Sequence, residues 1–202
     1  MTAPESRTLV PRGSAARCGQ AVQGHEGDVN FVEVSSPTFH DFTGRVHDYD
    51  GVSPIVWRIS AYAIAVRQDM VLVMEPTYAQ GRWELPGGGI HAHETLAEGV
   101  ARECWEETGH HFVPAANGRF HYLGEAFFYL STTVEPAASP YRHSVLLAVE
   151  GEARPGPGWT VAGSQETRRV AWLPLRELVP QDLPPHHWLA LNMAGVVPAG
   201  TR

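Results

Sequence analysis

With 202 residues, 43% hydrophobic and 18% charged, the chain can bury one sizeable core, and a second full domain would be cramped. A formal charge of −7 and a pI near 5.8 leave no cationic footprint for a nucleic-acid polymer, although a small anionic ligand can still be held through a metal. No apolar run approaches the roughly 20 residues of a membrane helix, no signal-peptide layout opens the chain, and Cys18 and Cys104 are too few for a disulfide framework, so a soluble cytoplasmic protein is expected.

In chain order, residues 1–27 are rich in Gly, Ala, Ser, Arg and Gln without a hydrophobic period, and are read as a loosely held arm. Within it, Leu9 to Ser14 resembles a thrombin cleavage sequence of the kind added during cloning and is set aside. Residues 28–50 carry short β-prone pieces broken by Pro37 and Gly44, which suits an edge hairpin or a dimer-contact arm ahead of a main domain at 51–202. WRISAYAIAV and MVLVMEP, separated by RQD, predict a β-hairpin from Val56. Pro86 to Gly89 is expected to break regular structure, and ETLAEGVARECWEET predicts a helix ending at Gly109. Two long strands, RFHYLGEAFFYL and YRHSVLLAVE, follow, then a Gly/Pro-rich loop at 151–165. RRVAWLP reads as a strand, PLREL as a helical turn, and Pro184 to Met193 as a closing helix. This order implies a mixed sheet between helices.

The chemistry concentrates on the first helix. Glu103, Glu106 and Glu107 stand at i, i+3 and i+4, so their carboxylates share an arc roughly 100° wide. Like charges at that spacing repel by ~0.2–0.5 kcal/mol per close pair, and a divalent cation would remove the repulsion. Leu96, Ala97, Val100, Ala101 and Cys104 form the adjacent apolar arc, with Glu107 nearest the boundary. Oxygen-only ligation favours a hard ion, Mg²⁺ first, with Mn²⁺ able to substitute. A Glu-rich helix taken alone is more often a solvated face.

The wider string decides between these readings. Gly88, five residues, Glu94, seven residues, Arg102-Glu103-Cys104, one residue, Glu106-Glu107, one residue and Gly109-His110 resemble the Nudix box of the Nudix hydrolase family, with seven polar or glycine positions matched over 23 residues. The two departures, Cys104 and His110, fall where the family usually has an aliphatic residue. The resemblance implies an α+β fold, an α/β/α sandwich, and hydrolysis of a diphosphate linkage in a nucleoside diphosphate joined to a variable group. It implies metal ligation by Glu103, Glu106, Glu107 and the Gly87 carbonyl. Arg102 would orient a box glutamate, Glu94 would fix the loop–helix junction, and Gly88 and Gly109 would serve the local backbone. Proton removal from water would fall to Glu103 or to Glu166, which resembles the late-loop glutamate of many relatives. A basic position that helps hold phosphates in relatives appears here as Glu75 or nearby, leaving that task to metal, Arg58, Arg82 or Arg142. Trp83 is a candidate for stacking on a base, or a core residue. Family habit adds a homodimer.

The His91-Ala92-His93 and His186-His187 pairs read as loop and helix-start residues rather than metal ligands. An alternative function is a catalytically silent nucleotide-sensing module on the same fold. The downstream proline of ADP-ribose hydrolases and the tyrosine of dinucleoside polyphosphate hydrolases are both missing at the family spacing, Tyr129 falling just off it, so no substrate subgroup is implied.

Overall fold

The computed structural model describes residues 37–41, 44–130 and 139–197. The arm at 1–27 with its thrombin-like sequence, and the start of the 28–50 segment, lie outside them.

The centre of the sheet is the expected hairpin, β3 (Val56–Arg67) and β4 (Met70–Pro76). Arg67 stays in the strand, and Gln68-Asp69 make the turn with φ of 49° and 60°. Positive φ at both central positions gives the backbone twist that a two-residue hairpin needs. Around it stand β1 (Thr38–His40), β2 (Val46–Asp48), β7 (Phe120–Tyr129), β8 (Tyr141–Pro155) and β9 (Thr167–Pro174), in the order β2-β1-β7-β8-β3-β4-β9. The pairs β3–β8 and β1–β7 are parallel and the others antiparallel, so the sheet is mixed. The β1–β2 hairpin lies at one edge, held by wholly buried Phe39 against the rings of Phe127 and Tyr141.

Alternation along β3 sends side chains to two cores. Ala61, Ala63 and Ala65 face α1 (Leu96–Thr108), where their small size lets Val100 and Cys104 approach the strand. Ile64 points the other way, among Leu146, Leu183, Ala190 and Leu191 under α2 (Pro185–Met193). Helices therefore cover both faces, and the α/β/α sandwich expected from the sequence is the fold. No helix among the described residues is long and apolar enough to cross a membrane.

Two local expectations are corrected. Gly87–Gly89 is not a break: it forms β5, an antiparallel strand on β3. A side chain at Gly87 would collide with the β3 backbone at Tyr62, so glycine is what lets the chain lie this close. The 151–165 loop also starts later than expected, because β8 continues to Pro155 against β6 (His110–Pro114). Buried Ala153 beside buried Phe112 gives those last residues an inward face, and partner strands outweigh the turn propensity of Gly151 and Pro155.

Candidate active site

The site is built where β5 meets α1. Thr95 caps the helix: the Glu98 N–H donates to its Oγ1 at 3.3 Å and the Thr95 N–H donates to the Glu98 carboxylate at 2.8 Å, a reciprocal capping box. Gly109 ends it in the left-handed region at φ 66°, its N–H donating to the Trp105 carbonyl. Between these caps Val100, Cys104 and Glu107 fall at i, i+4 and i+7, one face of the helix, and all three are buried. Glu107 is thus past the boundary where the sequence placed it.

Its carboxylate accepts the Gly87 N–H at 2.8 Å, which ties the helix to β5. No cationic side chain pairs with it among the described residues. Burial pushes its pKa well above the ordinary 4.5, opposed by the Gly87 bond and reinforced by the charges of Glu103, Glu84 and Glu166. Glu103 is also raised, first by burial, with Arg102 opposing and Glu106 and Glu166 adding to the rise. Gly88 lies against it: a Cβ there would stand 2.9 Å from the Glu103 carboxyl carbon.

Arg102 connects the remaining acids. Its Nε and Nη2 donate to the two oxygens of Glu94 at 2.6 and 3.0 Å, and Nη2 also donates to the Gly89 carbonyl at 3.0 Å. Nη1 reaches Glu103 at 2.9 Å and Glu106 at 3.0 Å. This fork holds the Glu94 carboxyl down to about 2. It also relieves the repulsion that the sequence assigned to a cation alone, so Glu103 and Glu106 turn towards the guanidinium. Among the described residues the three-group set whose ligand atoms lie within 4.8 Å of one another is His91, His93 and Glu94, not the helix glutamates.

Glu166 sits in the loop before β9, its charge felt at both Glu103 and Glu107. That loop is tied to the strand turn at Thr77 and to α1. Thr77 donates its N–H to the Glu166 carbonyl at 2.8 Å, and the Trp159 indole N–H donates to the Glu106 carbonyl at 3.0 Å. The Trp159 ring covers Gly109, where a Cβ would lie 2.6 Å from it.

Of the proposed substrate-binding residues, Arg58 lies over β5: its guanidinium covers Gly89 and its Nε donates to Ser60 Oγ at 3.2 Å. Arg82 is exposed and near enough to oppose the burial-raised pKa of Glu84. Trp83 is half-buried against the α2-side core, with the Arg169 guanidinium 4.8 Å from its ring centroid, which accords with the core alternative. Arg142 is buried and donates to the carbonyls of Ser139 and Tyr141, away from the glutamates' hydrogen bonds. Glu75, expected at or near a position basic in relatives, is 1% exposed, bound to Arg169 and accepting the Gly81 N–H at 2.6 Å. It braces the 77–83 loop, its carboxylate committed to Gly81 and Arg169.

Sequence reasoning missed Glu84, a half-buried acid accepting the Tyr78 hydroxyl at 2.8 Å and raised by burial. It also missed His187, whose Nδ1 accepts the Leu85 N–H at 3.0 Å and so steadies the turn into β5. Both depend on contacts across the fold, with no local pattern to announce them.

The donor set fits a hard divalent cation: oxygen atoms only, including a buried carboxylate beside a glycine strand, without a cationic partner among the described residues. The NUDIX domain model matches residues 56–192, the stretch that runs from β3 through nearly all of α2. A MutT-like protein of Streptomyces ambofaciens is 43% identical over 60 residues, 30% of this chain and 39% of the relative. Phosphatase NudJ of Escherichia coli K12 is 45% identical over 51 residues, 25% of this chain and 33% of the relative. The chain thus spans little more than a third of the length of these relatives. A NUDIX hydrolase from Nitrosomonas europaea has a similar structure, at a TM-score of 0.49 and 17% identity, covering 70% of this chain and 93% of that one. The chain belongs to the Nudix hydrolase family.

Proposed function

We propose that this protein hydrolyses a diphosphate linkage in a nucleoside diphosphate joined to a further group, with Mg²⁺ held by Glu103, Glu106, Glu107 and the Gly87 carbonyl. The observation that carries the reading is buried Glu107, bonded to the Gly87 N–H, within electrostatic reach of Glu103, and paired with no cationic side chain among the described residues. A bound divalent ion supplies neutralisation there, polarises phosphoryl oxygens and lowers the pKa of water.

The chain's own groups then divide the work. Arg102 holds Glu94, Glu103 and Glu106 in one fork and fixes the acids before substrate arrives. Arg58 and Arg82 offer positive charge to phosphate oxygens, in place of the basic residue that Glu75 cannot supply. Water attacks one phosphorus, the bridging P–O bond breaks, and a nucleoside monophosphate and a phosphorylated remainder leave. The proton from water passes to Glu166. Glu103 is the weaker candidate because Arg102 already binds its carboxylate, whereas no hydrogen bond to the Glu166 side chain is present among the described residues.

A panel of nucleoside diphosphate sugars, cofactor diphosphates and nucleoside triphosphates, incubated with Mg²⁺ and resolved by chromatography, tests this. Wild type should release a nucleoside monophosphate from at least one compound, and Glu107→Gln should release none while keeping the native circular dichroism spectrum. Turnover by Glu107→Gln at the wild-type rate would refute the assignment.

A further inference from the structure

The loop from β5 to α1 carries a second, chemically different set of donors. His91 Nδ1 stands 3.5 Å from Glu94 Oε1, and the rings of His91 and His93 are 5.6 Å apart between centroids, inclined by 31°. One ligand atom from each of His91, His93 and Glu94 lies within 4.8 Å of the other two. Bonds of about 2.0–2.1 Å in a tetrahedral site separate neighbouring ligand atoms by roughly 3.4 Å, so small torsional adjustments of two exposed imidazoles close the set. The backbone is already fixed: the Glu94 N–H donates to the His91 carbonyl at 3.0 Å, and the His91 N–H donates to Glu94 Oε2 at 2.9 Å. Two imidazoles with one carboxylate suit Zn²⁺, Ni²⁺ or Cu²⁺, whereas the oxygen-only helix site suits Mg²⁺.

Glu94 belongs to this set and to the Arg102 fork at once. Its two oxygens accept Arg102 Nε at 2.6 Å and Nη2 at 3.0 Å, and the same guanidinium reaches Glu103 and Glu106. A cation on Glu94 repels the guanidinium and competes for the oxygens that orient it. We propose that His91, His93 and Glu94 form a site for a borderline transition cation, Zn²⁺ foremost, whose occupancy antagonises the helix acids through Arg102. The antagonism rests on the proposed role of Glu103, Glu106 and Glu107; the binding itself does not. Coupling of this kind is reciprocal, so Mg²⁺ at the helix weakens Zn²⁺ at the loop by the same factor.

The test uses tag-free full-length protein titrated calorimetrically with Zn²⁺ in excess Mg²⁺, as wild type, His91→Ala and His93→Ala. Wild type should take up Zn²⁺ at one site that each variant weakens at least about tenfold, the scale seen when even outer-shell partners are lost. Cu²⁺ as a probe should show two nitrogen ligands by electron paramagnetic resonance in wild type and one in either variant. Identical isotherms in all three proteins would overturn the site, whether or not a hydrolysed substrate has been found. Where turnover is measurable, Zn²⁺ should inhibit wild type at concentrations that leave His93→Ala active. Equal inhibition of both, despite lost loop binding, would overturn the coupling through Arg102.

Discussion

Glu107 combines three conditions rarely met by a surface acid: it is 8% exposed, it accepts a backbone N–H, and three other carboxylates act on it. The pH consequence follows from the sign of its shift. Glu103 and Glu107 both have raised values, so their neutral forms are favoured by the fold. Their contribution to stability is full below the unfolded value near 4.5 and is lost as pH rises through the raised folded values. Metal-free protein should therefore lose melting temperature over that rise as far as these two groups control it. On the proposed ligation, Mg²⁺ would bind the ionised forms, and should raise the melting temperature above the window and do little below pH 4.5. Scanning fluorimetry with and without Mg²⁺ across this range checks it; an ion effect independent of pH would count against Glu103 and Glu107 as ligands. Gly88 tests geometry at the same scale. Gly88→Ala puts a methyl 2.9 Å from the Glu103 carboxyl carbon, and should cut turnover while barely moving the melting temperature.

At the scale of elements, α1 is held by its two caps. Thr95→Ala removes one half of the capping box and should cost about 1 kcal/mol in denaturant unfolding, with unchanged metal binding. Gly109→Ala should cost more, because an L side chain in the left-handed region costs roughly 1–2 kcal/mol and here also meets Trp159. The loop before β9 is an element of the site through Trp159 and Thr77. Trp159→Phe keeps the ring over Gly109 and deletes the hydrogen bond to Glu106. If that bond positions Glu166, kcat should fall with the melting temperature little changed and the pH profile displaced. A loss of stability alone would make Trp159 a packing residue only.

Across the whole molecule, periodicity made β3, β4, β7, β9, α1 and α2 legible, because each pairs a strong local pattern with a clear stop. What the sequence could not convey was decided by partners distant along the chain. Gly87 to Gly89 reads as a break, yet β3 supplies hydrogen bonds that turn it into a strand. Residues 151–155 read as loop, yet β6 extends β8 over them. At the site, the helix spacing revealed the acids and their crowding. It did not reveal that Arg102 relieves much of that crowding by linking Glu94, Glu103 and Glu106. Nor could Glu84, His187 or Trp159 be recognised, since each acts through a contact with another part of the fold.

Manganese binding tests the helix acids most directly, because free Mn²⁺ gives a paramagnetic resonance signal that disappears when the ion is bound. Titrated at neutral pH, wild type should remove Mn²⁺ from solution, Mg²⁺ should compete, and Glu107→Gln should leave the free-ion signal nearly undiminished. Equal Mn²⁺ uptake by wild type and Glu107→Gln would contradict a cation held at the buried glutamate.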